Sequence, residues 1–319
     1  MRLSRVFLFI VMISLSSVSL SDTIVTIKIV DDNQLPMQGV TLSIGYEVSS
    51  TNGLGTKTIL IDGVTDVNGY YTAKGVNSTY VTYSAIKEGY YKSYSSPLNL
   101  DNEASSTKPS ILKLKKISNP VPMFVRDTHM RVNDKKELAI PVLSKNIGYD
   151  LVTGDWVAPY GKGFSSDFIF NVTKSVNTYN DFKCNLDISF SNPGDGILEV
   201  SLDLKYGSIF RSPYIAPEGG YKSNLSIDCS KGGNDKVTSY NQKQNYFYRV
   251  RTKFDNNGNI IDAKYGKIYG GISIYPYESE TAYIFFLYYL NPDGTRNMEY
   301  DRGKNLFNEF TNKSIYFDP

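Results

Sequence analysis

Residues 23–46 read TIVTIKIVDDNQLPMQGVTLSIGY and decide the fold of the first third of the chain. Apolar and polar side chains alternate in two runs, separated by the acidic turn at 31–33 and by Pro36. Side chains that alternate with a period of two lie on opposite faces of a β-strand, so each run has one apolar face. These faces carry Val25, Ile27 and Ile29 in the first run and Val40, Leu42, Ile44 and Tyr46 in the second. The stretch predicts two half-buried strands of an antiparallel sandwich.

The same alternation continues along the chain. It recurs at residues 81–85, 111–115, 169–172, 186–190 and 198–204. A long hairpin is expected around the turn at 255–259, whose flanks are rich in β-branched and aromatic residues. In Tyr283–Leu290 both faces are apolar, which predicts a buried central strand. We therefore predict an all-β protein of two β-sandwich domains, the second being larger and either a sandwich or a distorted barrel.

Three turn motifs follow one another in the first domain: Pro36-x-x-Gly39-Val40, Thr65-Asp66-x-x-Gly69-Tyr70 and Lys87-x-Gly89-Tyr90. With Val30-Asp31 ahead of them, this order resembles the carboxypeptidase-regulatory-like, or transthyretin-like, domain family. The resemblance implies a small β-sandwich over residues 22–116. Because members of that family are mostly non-catalytic accessory or spacer modules, it also implies such a role here.

Residues 1–21 have the pattern of a secretory signal peptide. Two arginines precede an apolar run from Val6 to Leu15, and cleavage is expected after Ser21 or, nearly as well, after Ser19. The run is shorter than the ~20 apolar residues of a membrane helix, so an uncleaved anchor is the less favoured alternative. We expect a secreted or periplasmic protein that is not inserted in a membrane once the signal is removed.

The charge of the chain disfavours nucleic acid as a partner. The whole sequence has 34 basic and 32 acidic residues. Two of the basic residues are the arginines of the predicted leader, so the mature chain has equal numbers of each sign. Non-specific binding to nucleic acid needs a basic excess that displaces counterions from the phosphates.

A short proline-containing segment is expected to separate two domains. In Asn119-Pro120-Val121-Pro122 each proline fixes its own φ and favours an extended residue before it. We predict a linker at 117–122 and a second β-sandwich domain of unknown function at 123–319. The segment 148–163 of that domain, with 288–292, is similar to segments of uncharacterised secreted bacterial proteins, for which no activity is assigned.

The two cysteines, Cys184 and Cys229, both fall in the second domain. An even pair in an oxidising compartment predicts a disulfide, and two buried free thiols are the alternative. With His129 as the single histidine, a zinc site is disfavoured, and we predict no metal.

The sequence offers no catalytic constellation that we can assign. His129 has no Gly-x-Ser-x-Gly elbow to act with, and phosphate-binding glycine loops are absent, so no catalytic residue and no cofactor are predicted. Glu278 and Glu280 would share a strand face at the spacing of a glycosidase pair. Their surroundings favour a surface turn with solvated acids, which leaves a non-enzymatic protein as the favoured interpretation.

Aromatic residues are the one hint at a ligand, with 26 Tyr, 16 Phe and a single Trp. Tyrosine combines an apolar ring with a polar tip and suits both sugar stacking and protein contacts. Trp156 lies near Tyr160 in a glycine-rich stretch, and we name both as candidate ligand-binding residues. Packing in the core is the favoured alternative for Trp156.

Three functions stay open from the sequence. The first is a secreted or periplasmic, non-enzymatic binding or accessory protein that recognises a glycan or a protein at the cell envelope. The second is an extracellular polysaccharide hydrolase that uses acids of the second domain. The third is a structural component of a surface assembly.

Overall fold

The computed structural model describes residues 22–49, 55–78, 80–99, 108–130, 137–202, 206–232, 235–238, 241, 243–310 and 317–319. The signal peptide predicted at residues 1–21 lies outside them. Among the described residues, no helix is long and apolar enough to cross a membrane.

The described residues form 21 strands and one 3-10 turn at Asn308–Phe310, without an α-helix. The first eight strands are β1 Thr23–Val30, β2 Thr41–Ser49, β3 Thr56–Val64, β4 Tyr70–Gly75, β5 Tyr80–Ile86, β6 Ser93–Tyr94, β7 Leu98–Asn99 and β8 Ser110–Lys113. The others are β9 Val121–Asp127, β10 Ile147–Asp150, β11 Asp155–Trp156, β12 Phe168–Thr178, β13 Asp181–Ser189, β14 Gly196–Ser201, β15 Gly207–Ser208, β16 Asn224–Gly232, β17 Asp235–Thr238, β18 Gln244–Phe254, β19 Ile260–Tyr275, β20 Tyr283–Asn291 and β21 Tyr300–Asn305. The predicted all-β class with β-sandwiches is confirmed, and none of the sheets of the described residues closes into a barrel.

The N-terminal sandwich consists of β1–β8. One sheet has the order β4-β1-β8, and the facing sheet has the order β15-β6-β5-β2-β3, with β7 also paired to β5. The alternating apolar residues of the opening stretch fill the core between them: Val25, Ile27, Ile29, Val40, Leu42, Ile44 and Tyr46 are all buried. Each such side chain contributes roughly 1.5–3 kcal/mol through burial.

The three turn motifs of the sequence meet in space. The Thr65 hydroxyl accepts a hydrogen bond from the backbone N–H of Val40 at 3.0 Å and donates one to the Met37 carbonyl at 2.6 Å. The Lys87 ammonium donates to the neighbouring Gln38 carbonyl at 2.6 Å. The motif residues therefore satisfy each other's backbone groups, which explains why these residue types occur together.

The C-terminal sandwich consists of β9–β14 and β16–β21. Its two sheets have the orders β11-β10-β12-β13-β16-β17 and β14-β18-β19-β20-β9-β21. Aromatic rings at its centre meet mainly edge to face, as in Tyr149–Phe170, Phe168–Tyr248 and Tyr149–Tyr288. Such pairs add roughly 0.5–1.5 kcal/mol each beyond their burial.

The two sandwiches are connected by more than the linker. Strand β15, which follows β14 in the chain, pairs with β6 and extends the sheet of the N-terminal sandwich. Directly after β15, the Phe210 ring lies 5.2 Å from the Tyr91 ring and 4.9 Å from the Lys115 ammonium. The predicted domain limits at residues 116 and 123 stay predictions.

A buried carboxylate lies where the sandwiches meet. Glu299 is 1% exposed and accepts hydrogen bonds from the Tyr91 hydroxyl at 2.8 Å and from the backbone N–H groups of Ser118 at 2.8 Å and Asn119 at 2.6 Å. Burial and the neighbouring Glu299 raise the pKa of Tyr91, so its hydroxyl stays a proton donor. We call these four residues the joint. They link the N-terminal sandwich, the linker and the C-terminal sandwich through one side chain.

Beside the joint, Lys267 is fully buried among hydroxyl, carbonyl and aromatic groups. Its Nζ donates to the Met298 carbonyl at 2.8 Å and to the Tyr269 hydroxyl at 2.9 Å. It also lies 4.8 Å from the centre of the Tyr289 ring. Burial lowers the pKa of Lys267 well below its ordinary value, and the nearby Lys115 lowers it further.

Candidate functional site

The two candidate ligand-binding residues differ in their exposure to solvent. Trp156 is 6% exposed, and its indole packs edge to face on Tyr149 and Phe170 while its N–H donates to the Ala139 carbonyl at 3.0 Å. Tyr160 is 41% exposed on the same loop. The favoured packing alternative thus describes the position of Trp156, and ligand binding by either residue stays a prediction.

The loop that carries Tyr160 is held by an ion-pair network between the two sheets. Arg251 has a positive φ of 57° at an irregularity of β18, and its guanidinium binds Asp167 through two hydrogen bonds of 2.7 and 2.8 Å and Asp150 through one of 2.9 Å. Burial raises the pKa of Asp167 despite this partner. Burial also acts to raise the pKa of Asp150, but backbone N–H donors and Arg251 outweigh it and lower that pKa. Both carboxylates are therefore occupied in fixing the loop.

The predicted disulfide between Cys184 and Cys229 is wrong, because both residues are free thiols. They lie directly opposite each other on β13 and β16. Burial raises the pKa of Cys184 to about 12, and the neighbouring Cys229 adds to this. A protonated thiol is a poor nucleophile for disulfide formation, and an even cysteine count carries no information on this local environment. Of the two buried free thiols that formed the alternative, Cys184 is buried and Cys229 is half-buried.

The other candidate groups lie on the surface. His129 is exposed after β9, and Glu278 and Glu280 are exposed in the loop between β19 and β20. Within the described residues, no group of three or more His, Cys, Asp or Glu side chains is placed to hold a metal ion.

Six aromatic side chains form a continuous row on the surface of the C-terminal sandwich. We call them the aromatic row. Successive ring centroids are 4.4 to 6.3 Å apart in the order His129, Phe285, Tyr283, Tyr275, Tyr277, Tyr179. The row is accessible, since Tyr179 is 68% and Tyr275 42% exposed and the remaining members are exposed or half-buried.

Strand pairing places the middle of the row. Tyr283 on β20 lies directly opposite Tyr275 on β19, and Phe285, two residues further along β20, shares their face. The intervening Ile284 points to the opposite face and belongs to the core. The rings of Tyr283 and Phe285 are parallel within 7°. The middle of the row is thus fixed by the pairing of β19 and β20.

A lysine fixes the end of the row. The Lys174 ammonium donates to the backbone carbonyls of Pro276 at 2.9 Å, Thr281 at 2.6 Å and Glu278. The loop that carries Tyr277 is therefore closed around one lysine side chain. The Tyr277 ring stacks on the ring of Tyr179, which lies in the turn between β12 and β13. This arrangement pre-organises the exposed rings, which reduces the entropy lost on binding.

Sequence reasoning missed this site for an identifiable reason. The sequence predicts that Tyr283–Leu290 is buried on both faces, yet Tyr283 and Phe285 are half-exposed while Ile284 and Phe286 are buried. The available signal was the spacing of two between Tyr275 and Tyr277 and again between Tyr283 and Phe285. This spacing predicts a surface row only when the register of β19 against β20 is known, because that register places Tyr275 opposite Tyr283.

The chain matches no protein-family model and no curated protein. Among solved structures it is similar to a mutant form of the shaft pilin SpaA from Lactobacillus rhamnosus GG, at 10% identity and a TM-score of 0.23, covering 79% of this chain and 94% of that one. It is also similar to BcpA, the major pilin subunit of Bacillus cereus, at 12% identity and a TM-score of 0.19, covering 88% of this chain and 100% of that one. At these TM-scores the similarity carries no argument about fold or function.

Proposed function

We propose that the chain is an exported, non-enzymatic protein of the cell envelope that binds an extended polysaccharide through the aromatic row. The row is the observation that carries this proposal, because it offers a contiguous and accessible line of rings held by a sheet and by the Lys174 clamp. Export rests on the leader-like residues 1–21. The N-terminal sandwich would then act as the accessory module that its turn motifs resemble.

The chemistry of the row fits a sugar chain. A pyranose ring presents C–H groups on its faces and hydroxyls around its edge, and a tyrosine offers an apolar ring and a hydroxyl that both donates and accepts. Four of the six members of the row are tyrosines. Partial burial raises the pKa of Tyr277, with Tyr179 adding to this, so its hydroxyl is neutral at physiological pH. A line of such groups suits a polymer more than a single small ligand.

The two acids of the loop that carries Tyr277 argue for binding without cleavage. Glu278 and Glu280 are both exposed. A glycosidase keeps its acid protonated by burial in an apolar setting, and an exposed loop does not provide that setting. For this pair of acids, the hydrolase alternative therefore has no structural observation in its favour.

The test is polysaccharide binding, measured by affinity gel electrophoresis with soluble polysaccharides and by co-sedimentation with insoluble ones. Tyr275→Ala and Tyr179→Ala each remove one exposed ring. Each should weaken binding about fivefold, since one ring contact is worth about 1 kcal/mol. Tyr275→Phe keeps the ring and should retain most of the affinity.

Tyr80→Ala is the matched control, because Tyr80 is 43% exposed on β5 of the other sandwich. It should leave binding unchanged. The proposal fails if no polysaccharide binds, or if the control variant weakens binding as much as the row variants do. A loss confined to Tyr160→Ala would overturn the assignment to the row and place the site on the loop predicted from the sequence.

A further inference from the structure

The strand β3 is a long edge strand that pairs with β2 alone among the described strands. All nine of its residues pair with β2, from Thr56 opposite Ser49 to Val64 opposite Thr41, without a shift in register. In the sheet order β15-β6-β5-β2-β3 it is the terminal strand. The opposite end of the same sheet is completed by β15, which the C-terminal part of the chain supplies. One end of this sheet is therefore already extended by strand addition, and the other offers a regular backbone edge.

This edge has few of the features that normally prevent pairing. Edge strands are commonly short, or carry prolines, bulges or several charges. Among the strands that end a sheet in the described residues, β3 is the longest, and it contains no proline and no bulge. Its charged residues are Lys57 and Asp62. Further protection comes from Tyr71 of β4, whose ring packs on Gly63 and whose hydroxyl donates to the Asp62 carbonyl at 3.2 Å, so the edge is protected at one end more than along its length.

Apolar side chains lie along the free edge. Leu60 is 67% exposed and Val64 57% exposed, both on the outer face of the sheet. Leu60 lies opposite Gly45 of β2, which has no side chain to cover it. On the other face, Ile59 and Ile61 are half-buried. A partner strand would cover the flanks of both sets, at about 25 cal/mol per Å² of apolar surface removed from water.

We propose that β3 pairs with β3 of a second copy of this chain, antiparallel, about a two-fold axis at Leu60. In such an isologous contact residue i of one copy faces residue j of the other, and residue j of the first copy faces residue i of the second, so only the residue on the axis faces itself. The resulting pairs are Leu60 with Leu60, Ile59 with Ile61, Thr58 with Asp62, Lys57 with Gly63 and Thr56 with Val64. Both members of every pair lie on the same face of the strand, as an antiparallel ladder requires.

The side chains of β3 select a second copy and this register. The central Ile59-Leu60-Ile61 reads the same in both directions. The Thr58 hydroxyl can donate to the Asp62 carboxylate across the axis, and Lys57 faces a glycine, so no like charges meet. A shift of two residues in one direction places Leu60 opposite Asp62, and a shift in the other places Lys57 opposite Ile61. The centred register alone pairs all nine residues without setting an apolar side chain against a charge.

The contact goes beyond the proposed polysaccharide binding and does not depend on it, because the aromatic row belongs to the other sandwich. It would join the sheets of two N-terminal sandwiches into one continuous sheet. It therefore supports, from an independent feature, the structural role in an assembly that the sequence left open.

Cysteine cross-linking of the full chain tests both the partner and the register. In the centred register the two Leu60 Cα atoms face each other at about 4.5–5.5 Å, within the range of a disulfide of about 4.4–6.8 Å. Leu60→Cys should give a cross-linked dimer under mild oxidation. Lys57→Cys is the matched control, because the two copies of residue 57 lie about 20 Å apart along the ladder. The unsubstituted chain controls for Cys184 and Cys229.

Sedimentation velocity over a wide concentration range gives the second readout. The unsubstituted chain should form a dimer as concentration rises. Leu60→Lys sets two like charges opposite each other and should raise the dimer dissociation constant at least tenfold. Val67→Lys changes an equally exposed residue in the turn between β3 and β4 and should have no effect. A chain that stays monomeric at every concentration overturns the proposal, as does cross-linking of Lys57→Cys as fast as Leu60→Cys. If Leu60→Lys does not fold, the cross-linking pair decides alone.

Discussion

Removing the carboxylate of the joint should have a large and graded effect on stability. Glu299 accepts three hydrogen bonds, one from the buried Tyr91 hydroxyl and two from the backbone N–H groups of Ser118 and Asn119. In Glu299→Ala all three donors lose their acceptor at once. Only the side chain of Glu299 is changed, so the loss of stability can be assigned to these three hydrogen bonds.

The size of the effect follows from these contacts. A buried donor without a partner costs about 1–3 kcal/mol, and we assign about 2 kcal/mol to the Tyr91 hydroxyl. The side chains of Ser118 and Asn119 are exposed, so water can reach their N–H groups and each should cost about 1 kcal/mol. We therefore expect Glu299→Ala to lower the free energy of unfolding by about 4 kcal/mol.

Glu299→Gln separates hydrogen bonding from bulk. One oxygen of Glu299 serves Tyr91 and Ser118, and the other serves Asn119. The amide keeps one oxygen and sets an N–H₂ group against the remaining donor. The cost should be about 1–2 kcal/mol, clearly less than that of the alanine variant.

Urea unfolding, followed by far-ultraviolet circular dichroism and by the fluorescence of Trp156, measures both variants. Hydrogen exchange at the amides of Ser118 and Asn119 reports the joint locally and should rise in the order wild type, glutamine, alanine. Glu280→Ala is the control, since Glu280 is exposed in the loop between β19 and β20. A loss below about 1 kcal/mol in Glu299→Ala, or equal losses in the two variants, would refute the reasoning.

Two further predictions concern the cores of the sandwiches. A Cβ at Gly75 would lie 2.5 Å from the ring of the fully buried Tyr46, so Gly75→Ala should lower the free energy of unfolding, measured by thermal unfolding, by about 1–3 kcal/mol. Gly219→Ala is the control, because the new methyl group would lie in open space, and its stability should stay within about 0.5 kcal/mol of wild type. Because burial lowers the pKa of Lys267 below 10.5, the unfolded chain binds its proton more readily than the folded chain, and this residue makes stability rise with pH between that lowered pKa and 10.5. Lys267→Met should flatten this rise in urea midpoints measured from pH 7 to about pH 10; an unchanged slope would show that Lys267 is charged in the folded state.

Local sequence patterns were sufficient where neighbours in the chain decide the structure. The alternation in residues 23–46 predicted β1 and β2, because a strand with one buried face needs that pattern. The aspartate turns were equally readable, since Asp66 caps the backbone N–H groups of Asn68 and Tyr70 within its own loop.

The sequence was insufficient where distant segments decide the structure. The state of Cys184 depends on burial between two sheets, which a cysteine count does not contain. The aromatic row depends on the pairing of Tyr275 with Tyr283 and on a turn about a hundred residues earlier that carries Tyr179. Strand β15, with two residues, is too short to leave a periodic signal at all.

The addition of β15 to the N-terminal sheet also sets an order of folding. During synthesis from the N-terminus, β6 is present before Gly207 and Ser208 have been added, because they follow more than a hundred residues later. Until then the sheet has two open edges, at β6 and at β3, and contacts between such distant segments form slowly. The N-terminal sandwich thus reaches its final form only after residues 207 and 208 have been added. During that interval its open edges are most exposed to mispairing with other chains.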